Sequence, residues 1–505
     1  PKKHHLTSAQ KLVLENIRGS ISKKDFCSIL VHGVTGSGKT EIYLNAISTV
    51  LQAERSALLL VPEIALTPQI SSYFRAWFGA KVAIVHSGLS KGERFDQWRR
   101  IREGKARVVV GTRSAIFSPL RELGLILIDE EHDDSYKQEE LPRYHARDVA
   151  LRLAQMKKIP VILGSATPQL ETYYHSTKNG RPRYEVLTSR VMERPMPQVK
   201  IVDMRHEFQR IGKATVISQA LRESIDKRLV RGEQSLILLN RRGYSSCLLC
   251  RSCGSVETCR ECSISLTYHQ KSNLLNCHYC GHTRSVPRLC SRCGKIYLHF
   301  LGEGTEKIQG VLMDFFPDAR VDRLDRDTTR RKGSLTKILH GVSSGNTDIL
   351  VGTQMISKGH DFPNVTLVGV LMAEQALRMP DFRAAERTFQ LLTQVAGRAG
   401  RGEKSGEAIV QSFYPGHYSI GYACHQDYEP FFDEEIRFRT EMQYPPTVAM
   451  VNAVVRARSL NAAMADAEQV AKILRNRSGF LVLGPAPAPI TRLRGQYRAQ
   501  LFLIG

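Results

Sequence analysis

The stretch Ser28-Ile29-Leu30-Val31-His32-Gly33-Val34-Thr35-Gly36-Ser37-Gly38-Lys39-Thr40 decides the fold. Its first four residues read as a buried strand, its glycines as a turn, and the residues after Thr40 carry a helical pattern. Glycines let backbone N–H groups face a phosphate, a lysine reaches the β/γ oxygens, a hydroxyl holds Mg²⁺, and the helix start adds its dipole. Gly33, Val34, Thr35, Gly36, Ser37, Gly38, Lys39 and Thr40 are therefore the expected ATP-binding residues. A strand, loop and helix in this order also predict a parallel α/β sheet.

Working outward, Leu123 to Ile128 forms a second apolar strand that ends in Asp129-Glu130-Glu131-His132. In a phosphate-cleaving site Asp129 would bind Mg²⁺ and Glu130 would polarise the attacking water. His132 reads as a link to the next motif or as a plain turn residue. Val61-Pro62-Glu63-Ile64-Ala65-Leu66-Thr67-Pro68, Gly111-Thr112-Arg113-Ser114 and Gly164-Ser165-Ala166-Thr167-Pro168 each follow an apolar strand. Hydroxyls and amides at strand ends can hold a phosphodiester backbone without reading bases, and Thr112 and Arg113 are expected there. Tyr136, Arg143, Tyr144, His145 and Arg147 make an aromatic and basic run that could stack on bases; a locally packed loop is the competing reading.

A second marker lies further on. Cys250/Cys253, Cys259/Cys262, Cys277/Cys280 and Cys290/Cys293 are four C-x-x-C pairs, enough for two closed structural zinc sites. Fourteen residues separate Cys262 from Cys277 and five separate Cys253 from Cys259. That spacing favours a nested arrangement, with the middle pairs around a hairpin through Ile264 to Leu275 and the outer pairs closing the other site. Sequential pairing is the alternative. His269, His278 and His282 are not needed as ligands, and the reducing compartment of a nucleotide motor argues against disulfides.

At 505 residues the chain has room for roughly three to five domains. No apolar run approaches the ~20 residues of a membrane span, so a cytoplasmic location and no membrane partner are expected. A formal charge of +23 calls for a polyanion, and nucleic acid fits it better than a membrane because no lipidation motif accompanies it. The start at Pro1 and the stop at Leu503-Ile504-Gly505 lead us to expect truncation at both ends.

Beyond the cysteines come Gly302-Glu303-Gly304-Thr305-Glu306, Asp325-Arg326-Asp327, and a strand Ile349 to Val351 leading to Gly352-Thr353-Gln354-Met355 and Lys358-Gly359-His360-Asp361. Gln394-Val395-Ala396-Gly397-Arg398-Ala399-Gly400-Arg401 ends the series, and arginines after a glycine can swing onto a γ-phosphate. Taken in order, GVTGSGKTE, VPEIALTPQ, GTRSA, DEEHDDSYKQ, GSATPQLE, LNRRGY, the eight cysteines, GTQMISKGHDFP and QVAGRAGR resemble the PriA family of superfamily 2 helicases. The resemblance covers nearly the whole chain.

It implies two RecA-like P-loop lobes, an inserted module binding two zinc ions, and a partial α+β C-terminal domain. The expected boundaries are 1–200 for lobe 1, 201–247 and 299–425 for lobe 2, 248–298 for the zinc module and 426–505 for the C-terminal domain. By that resemblance Gln10 reads adenine, the zinc pairing is nested, and Lys39, Asp129, Glu130, Gln394, Arg398 and Arg401 carry hydrolysis. Thr112, Arg113, Tyr136, Arg143, Tyr144, Thr353 and Lys358 are the expected DNA contacts, with Arg492, Arg494 and Arg498 in the tail. The implied activity is ATP-dependent 3′→5′ unwinding at stalled or abandoned replication forks, followed by primosome assembly with other primosome proteins and single-stranded-DNA-binding protein. The implied cofactors are ATP with Mg²⁺ and two structural Zn²⁺, and a monomer is the simplest expectation. Competing readings are a fork-binding loading scaffold with dispensable ATPase and another zinc-bearing superfamily 2 translocase. By the same resemblance, the family's N-terminal 3′-end-binding and winged-helix domains are expected to be missing from this chain. Leu371-Met372-Ala373-Glu374-Gln375 stands where family members often carry an aspartate, and Glu374 is assigned no role.

Overall fold

The structure, a computed structural model, describes residues 5–62, 68–191, 197–212, 215–240, 248–259, 265–269, 273–300, 304–325, 327–329, 333–357, 362–379, 381–400, 404–477 and 479–505. The chain divides into two compact units, with the boundary between Met196 and Pro197.

The first unit is built on seven strands in the order Val82–Val85, Val108–Gly111, Ser56–Leu60, Leu123–Asp129, Pro160–Ser165, Cys27–Gly33, Arg183–Leu187. Every neighbouring pair is parallel. Strands buried on both faces need continuous apolar runs, and Leu58, Val109, Leu127 and Ile162 supply them. The ladder between Leu123–Asp129 and Pro160–Ser165 sets Asp129 beside Gly164, so two of the predicted motifs leave the same sheet edge together.

In the second unit six parallel strands run Gln198–Asp203, Glu407–Ser412, Val365–Leu371, Gln234–Leu239, Ile349–Gly352, Val321–Leu324. The sheet begins at Gln198, slightly before the expected boundary. Helix Ala384–Ala396 is buried along nearly its whole length, polar Glu386, Gln390 and Gln394 included. The zinc module enters and leaves through an antiparallel pair, Leu248–Cys250 with Leu298–Phe300. Inside it Thr267–His269, Leu274–Asn276 and Thr283–Ser285 form a small antiparallel sheet, which includes the described part of the expected hairpin.

Helix Tyr428–Glu441 belongs to the packing of lobe 2, because its Phe431 stacks on Phe389 at 4.2 Å. The C-terminal domain proper is a three-stranded antiparallel sheet of Met450–Ala457, Gln496–Ile504 and Leu481–Leu493 under helix Leu460–Arg475. That helix turns Ala463, Ala467 and Ala471 inward at four-residue spacing, and small side chains let it lie close on Ala499 and Leu501. The module does not stand apart from this domain. Tyr279 packs 4.5 Å from Phe502, Gln500 Nε2 donates to His278 O at 2.6 Å, and His278 Nδ1 lies 2.7 Å from Pro487 O.

Candidate nucleotide site and metal centres

The strand Cys27–Gly33 delivers the loop 34–38 to the start of helix Lys39–Gln52. Gly38 takes a left-handed φ of +79°, and a side chain there would collide with the Gln10 amide. The sequence therefore needs glycine twice over at this position, for backbone and for space. Lys39 is nearly buried and donates from Nζ to Gly33 O at 2.7 Å, inside the turn it closes. Ser37 Oγ is buried with no hydrogen-bond partner among the described residues. Gln10 is the third residue of a helix capped by Thr7; its Oε1 accepts from Thr7 N at 2.8 Å and its Nε2 donates to Ser37 O at 2.8 Å. It is thus fastened to the phosphate loop itself.

The acidic motif sits across from Lys39. Asp129 accepts from Tyr43 Oη at 3.0 Å, and its carboxyl is pushed up to about 6 by burial and by the charge of Glu130, with Lys39 pulling it down. Glu130 has a left-handed φ of +46°, a strained backbone for a non-glycine residue, and its Oε2 is buried without a hydrogen bond. His132 Nδ1 lies 3.6 Å from that oxygen and 2.7 Å from Ser165 Oγ, which also accepts from Thr167 N. The imidazole therefore bridges the acidic motif and Ser165-Ala166-Thr167. A hydroxyl, two carboxylates and an ammonium around a glycine-rich turn at a helix start form the donor set that a nucleotide phosphate and Mg²⁺ require. The residues fit the group.

Sequence reasoning missed two supports of this site. Glu131 is fully buried and accepts from Arg147 Nη1 at 3.1 Å, Thr172 Oγ1 at 3.0 Å and Gln169 N at 2.7 Å. Tyr43 places its hydroxyl where a Cβ on residue 164 would stand, so Gly164 is glycine to admit it. Helical spacing four residues after Lys39 was the available signal for Tyr43.

The expected DNA contacts divide. Tyr136 is 0% exposed, with its hydroxyl on Leu60 O and Asp129 O, so its ring is core and cannot stack on a base. Thr112 is also buried, at the head of a 3-10 turn. Arg113 Nη1 holds the loop through Ser135 O at 3.3 Å and Lys137 O at 3.0 Å. Arg143 is exposed, and Tyr144 is half-buried, edge-on to Phe117. Arg147 is spent on Glu131, and His145 caps helix Ala146–Lys157. In the second unit Thr353 is half-buried, Gln394 is buried in helix Ala384–Ala396, and Arg398 follows that helix. Lys358 and Arg401 lie outside the described residues, as do Cys262 and most of Val61–Pro68.

The cysteines gather in the nested pattern. Cys250 with Cys253, Cys290 and Cys293 forms one cluster, and Cys259 with Cys277 and Cys280 forms the other. Sulfur separations of 3.6 Å for Cys250–Cys293, Cys253–Cys290 and Cys259–Cys280 are far beyond a disulfide. They match the edge of a tetrahedron with Zn–S near ~2.3 Å. Ser255 Oγ lies 3.0 Å from Cys253 Sγ and 3.1 Å from Cys290 Sγ, so a hydroxyl stands ready to donate to thiolates. The described members of both clusters are cysteines, and His278 Nδ1 is turned to Pro487 O.

The chain matches the models for DEAD/DEAH box helicase over residues 7–175, the helicase conserved C-terminal domain over 302–403, the PriA DNA helicase Cys-rich region over 259–284 and the primosomal protein N C-terminal domain over 440–504. The replication restart protein PriA of Treponema pallidum is 40% identical, across 99% of this chain and 74% of that protein. The chain belongs to the PriA family. The PriA of Bacillus subtilis is 49% identical across 98% of this chain, and the chain spans 62% of that relative's length. Among solved structures, RecG bound to a three-way DNA junction shares the fold, with a TM-score of 0.51 at 18% identity over 86% of this chain and 47% of RecG. The two parallel-sheet lobes and the cysteine module of this PriA-family chain are therefore those of a zinc-bearing helicase fold. No described helix is long and apolar enough to cross a membrane.

Proposed function

We propose that this chain is the motor of an ATP-dependent 3′→5′ DNA helicase that acts at stalled or abandoned replication forks and initiates primosome assembly for replication restart. The observation that carries the reading is the trio of Lys39, Asp129 and Glu130 around the phosphate turn, with one Glu130 oxygen buried and without a hydrogen bond among the described residues. A helicase core needs a charge clamp and a water-orienting carboxylate, and little covalent chemistry besides.

Bound Mg²⁺ would neutralise charge on the β and γ oxygens, and Thr40 and Asp129 are the residues to hold it. Lys39 exchanges Gly33 O for a phosphate oxygen. Glu130 Oε2 accepts a hydrogen bond from the attacking water and takes its proton as the bond from water oxygen to the γ-phosphorus forms and the bond to the β–γ bridging oxygen breaks, with ADP as the leaving group. His132 relays the position of Glu130 to Ser165, and so to the segment that follows. Arg398 and Arg401 are proposed to add positive charge during hydrolysis, and Gln10 to sense the adenine end through its bond to Ser37 O. Forked and single-stranded DNA are the proposed substrates, with Arg143, Tyr144, Thr353 and Lys358 as contacts. Other primosome proteins and single-stranded-DNA-binding protein are the proposed partners, and the two zinc ions are structural.

The test is ATP hydrolysis with and without forked DNA, beside RNA of equal length. Hydrolysis strongly raised by DNA and abolished in Glu130→Gln is the expected result. Hydrolysis indifferent to DNA, or raised as much by RNA, would sink the assignment.

A further inference from the structure

Glu374, which sequence reasoning left without a role, lies fully buried at the end of strand Val365–Leu371. It accepts from Ser412 Oγ at 2.7 Å and Phe413 N at 3.3 Å, and pairs with Arg378 one helical turn on. Arg378 is 4% exposed and uses its Nη2, whereas Nε and Nη1 have no hydrogen-bond partner among the described residues. A buried guanidinium with three unspent N–H groups is costly unless an acceptor comes to it.

Beside it is a cavity of about 490 Å³, walled by the zinc module, the Glu374–Ala385 segment and the segment after strand Glu407–Ser412. Arg292 and Thr258 stand exposed at its zinc-module wall. Tyr414 lines it at 36% exposure, beside His417, which stacks on Tyr418 at 4.5 Å. Burial holds His417 down at about 4, so this wall is neutral near pH 7. The other acid in the lining, Asp381, is committed to Arg387 Nη1 and Arg383 N.

We propose that this cavity binds one nucleotide unit of single-stranded DNA, its phosphate on Arg378 and Arg292 and its base against Tyr414. Nε and Nη1 of Arg378 are themselves shielded from solvent, so an oxyanion satisfies them when the side chain turns into the cavity, as guanidinium geometry favours. An aromatic wall next to it suits a base better than a peptide side chain alone, and reads no sequence. Because the cavity joins the zinc module to lobe 2, a strand held there would touch both. This inference rests on the DNA reading above.

The experiment uses the full chain and oligothymidylate carrying a photoreactive 5-iodouracil. Wild-type protein is expected to crosslink at Tyr414. Arg378→Lys keeps a charge for Glu374 but loses the fork; it should weaken oligothymidylate binding about tenfold with little change in salt dependence. Arg292→Ala and Tyr414→Ala sit at less buried positions and carry the test if Arg378→Lys does not fold; each should weaken binding about three- to tenfold. Wild-type binding left unchanged by all three, with no crosslink at Tyr414, overturns the site and leaves a cavity that holds only water. Competition by a peptide carboxylate, without a Tyr414 crosslink, overturns it in favour of a protein partner. Wild-type protein that binds no oligothymidylate at all breaks the DNA reading itself.

Discussion

The nucleotide site of the first unit and the buried network around Arg439 in the second handle enclosed charge in opposite ways. In the second, Arg439 is 0% exposed; its Nε bonds Glu435 at 2.8 Å, its Nη2 bonds Glu386 at 2.7 Å, and its Nη1 reaches Pro445 O. Tyr418 completes the shell on Glu435, and the guanidinium lies 5.2 Å from the Phe382 ring. In the first, Asp129 is raised, Glu130 is strained with one oxygen lacking a hydrogen bond among the described residues, and Lys39 rests on its own loop. Paired charge ties helices Ala384–Ala396 and Tyr428–Glu441 together. Unpaired charge stores free energy that a ligand can release.

The comparison breaks most easily at Arg439. Arg439→Met removes the cation that the buried carboxylates of Glu386 and Glu435 share and should destabilise the second unit by about 3–5 kcal/mol in denaturant titration. Changing Glu386 and Glu435 to Gln in the same chain should recover most of that loss, since no buried charge is then left alone. A triple variant no better than the single one would mean that packing, not charge, holds the helices.

Glu130→Gln should do the reverse. Hydrolysis is expected to fall about 10²–10³-fold while thermal stability holds or rises, because the substitution removes charge from a site that already carries an excess. Loss of activity together with loss of fold would place Glu130 among the structural groups, with Glu131.

Asp129→Asn sharpens the contrast further. The folded carboxyl keeps its proton up to about pH 6, whereas an unfolded aspartate releases it near pH ~4. The ligand-free fold therefore loses stability as pH rises between those values, and the full loss is present at pH 7. Asp129 itself is only partly covered although its carboxyl is enclosed, so about 1–2 kcal/mol is the expected gain for the amide at pH 7, disappearing below pH ~4. Melting temperature against pH reads it directly.

Much of this was legible in advance because chemistry at the phosphate turn constrains residue type at fixed spacing. Gly36 to Thr40, Asp129 and Glu130 stand where a strand must end, and the eight cysteines announce themselves by number alone. The nested clusters followed from loop length. What the sequence could not show were partnerships across long separations. Tyr136 sits in an aromatic and basic run that looks like a surface, yet tertiary contacts with Leu60 draw it into the core. Glu131 and Glu130 are neighbours of the same type, and only the position of Arg147, sixteen residues on, separates the structural acid from the candidate catalytic one. Arg439 and Glu386, 53 residues apart, carry no local signal of their pairing.

The finest test falls on Tyr43, whose hydroxyl links helix Lys39–Gln52 to Asp129. Its bond favours the ionised carboxylate and so opposes the rise caused by burial and Glu130. Tyr43→Phe keeps the ring beside Gly164 and removes only that bond. Asp129 should then hold its proton to higher pH, and the acid limb of kcat/KM, which reports the free enzyme, should move up by roughly 0.5 in pH with little change at pH 8. The direction is the decisive feature. A limb that stays where it was would show that a group other than Asp129 titrates there; one that moves down would mean that the hydroxyl had been stabilising the neutral acid. Either result would remove the charge excess from Asp129 and leave Glu130 alone to distinguish this site from the Arg439 network.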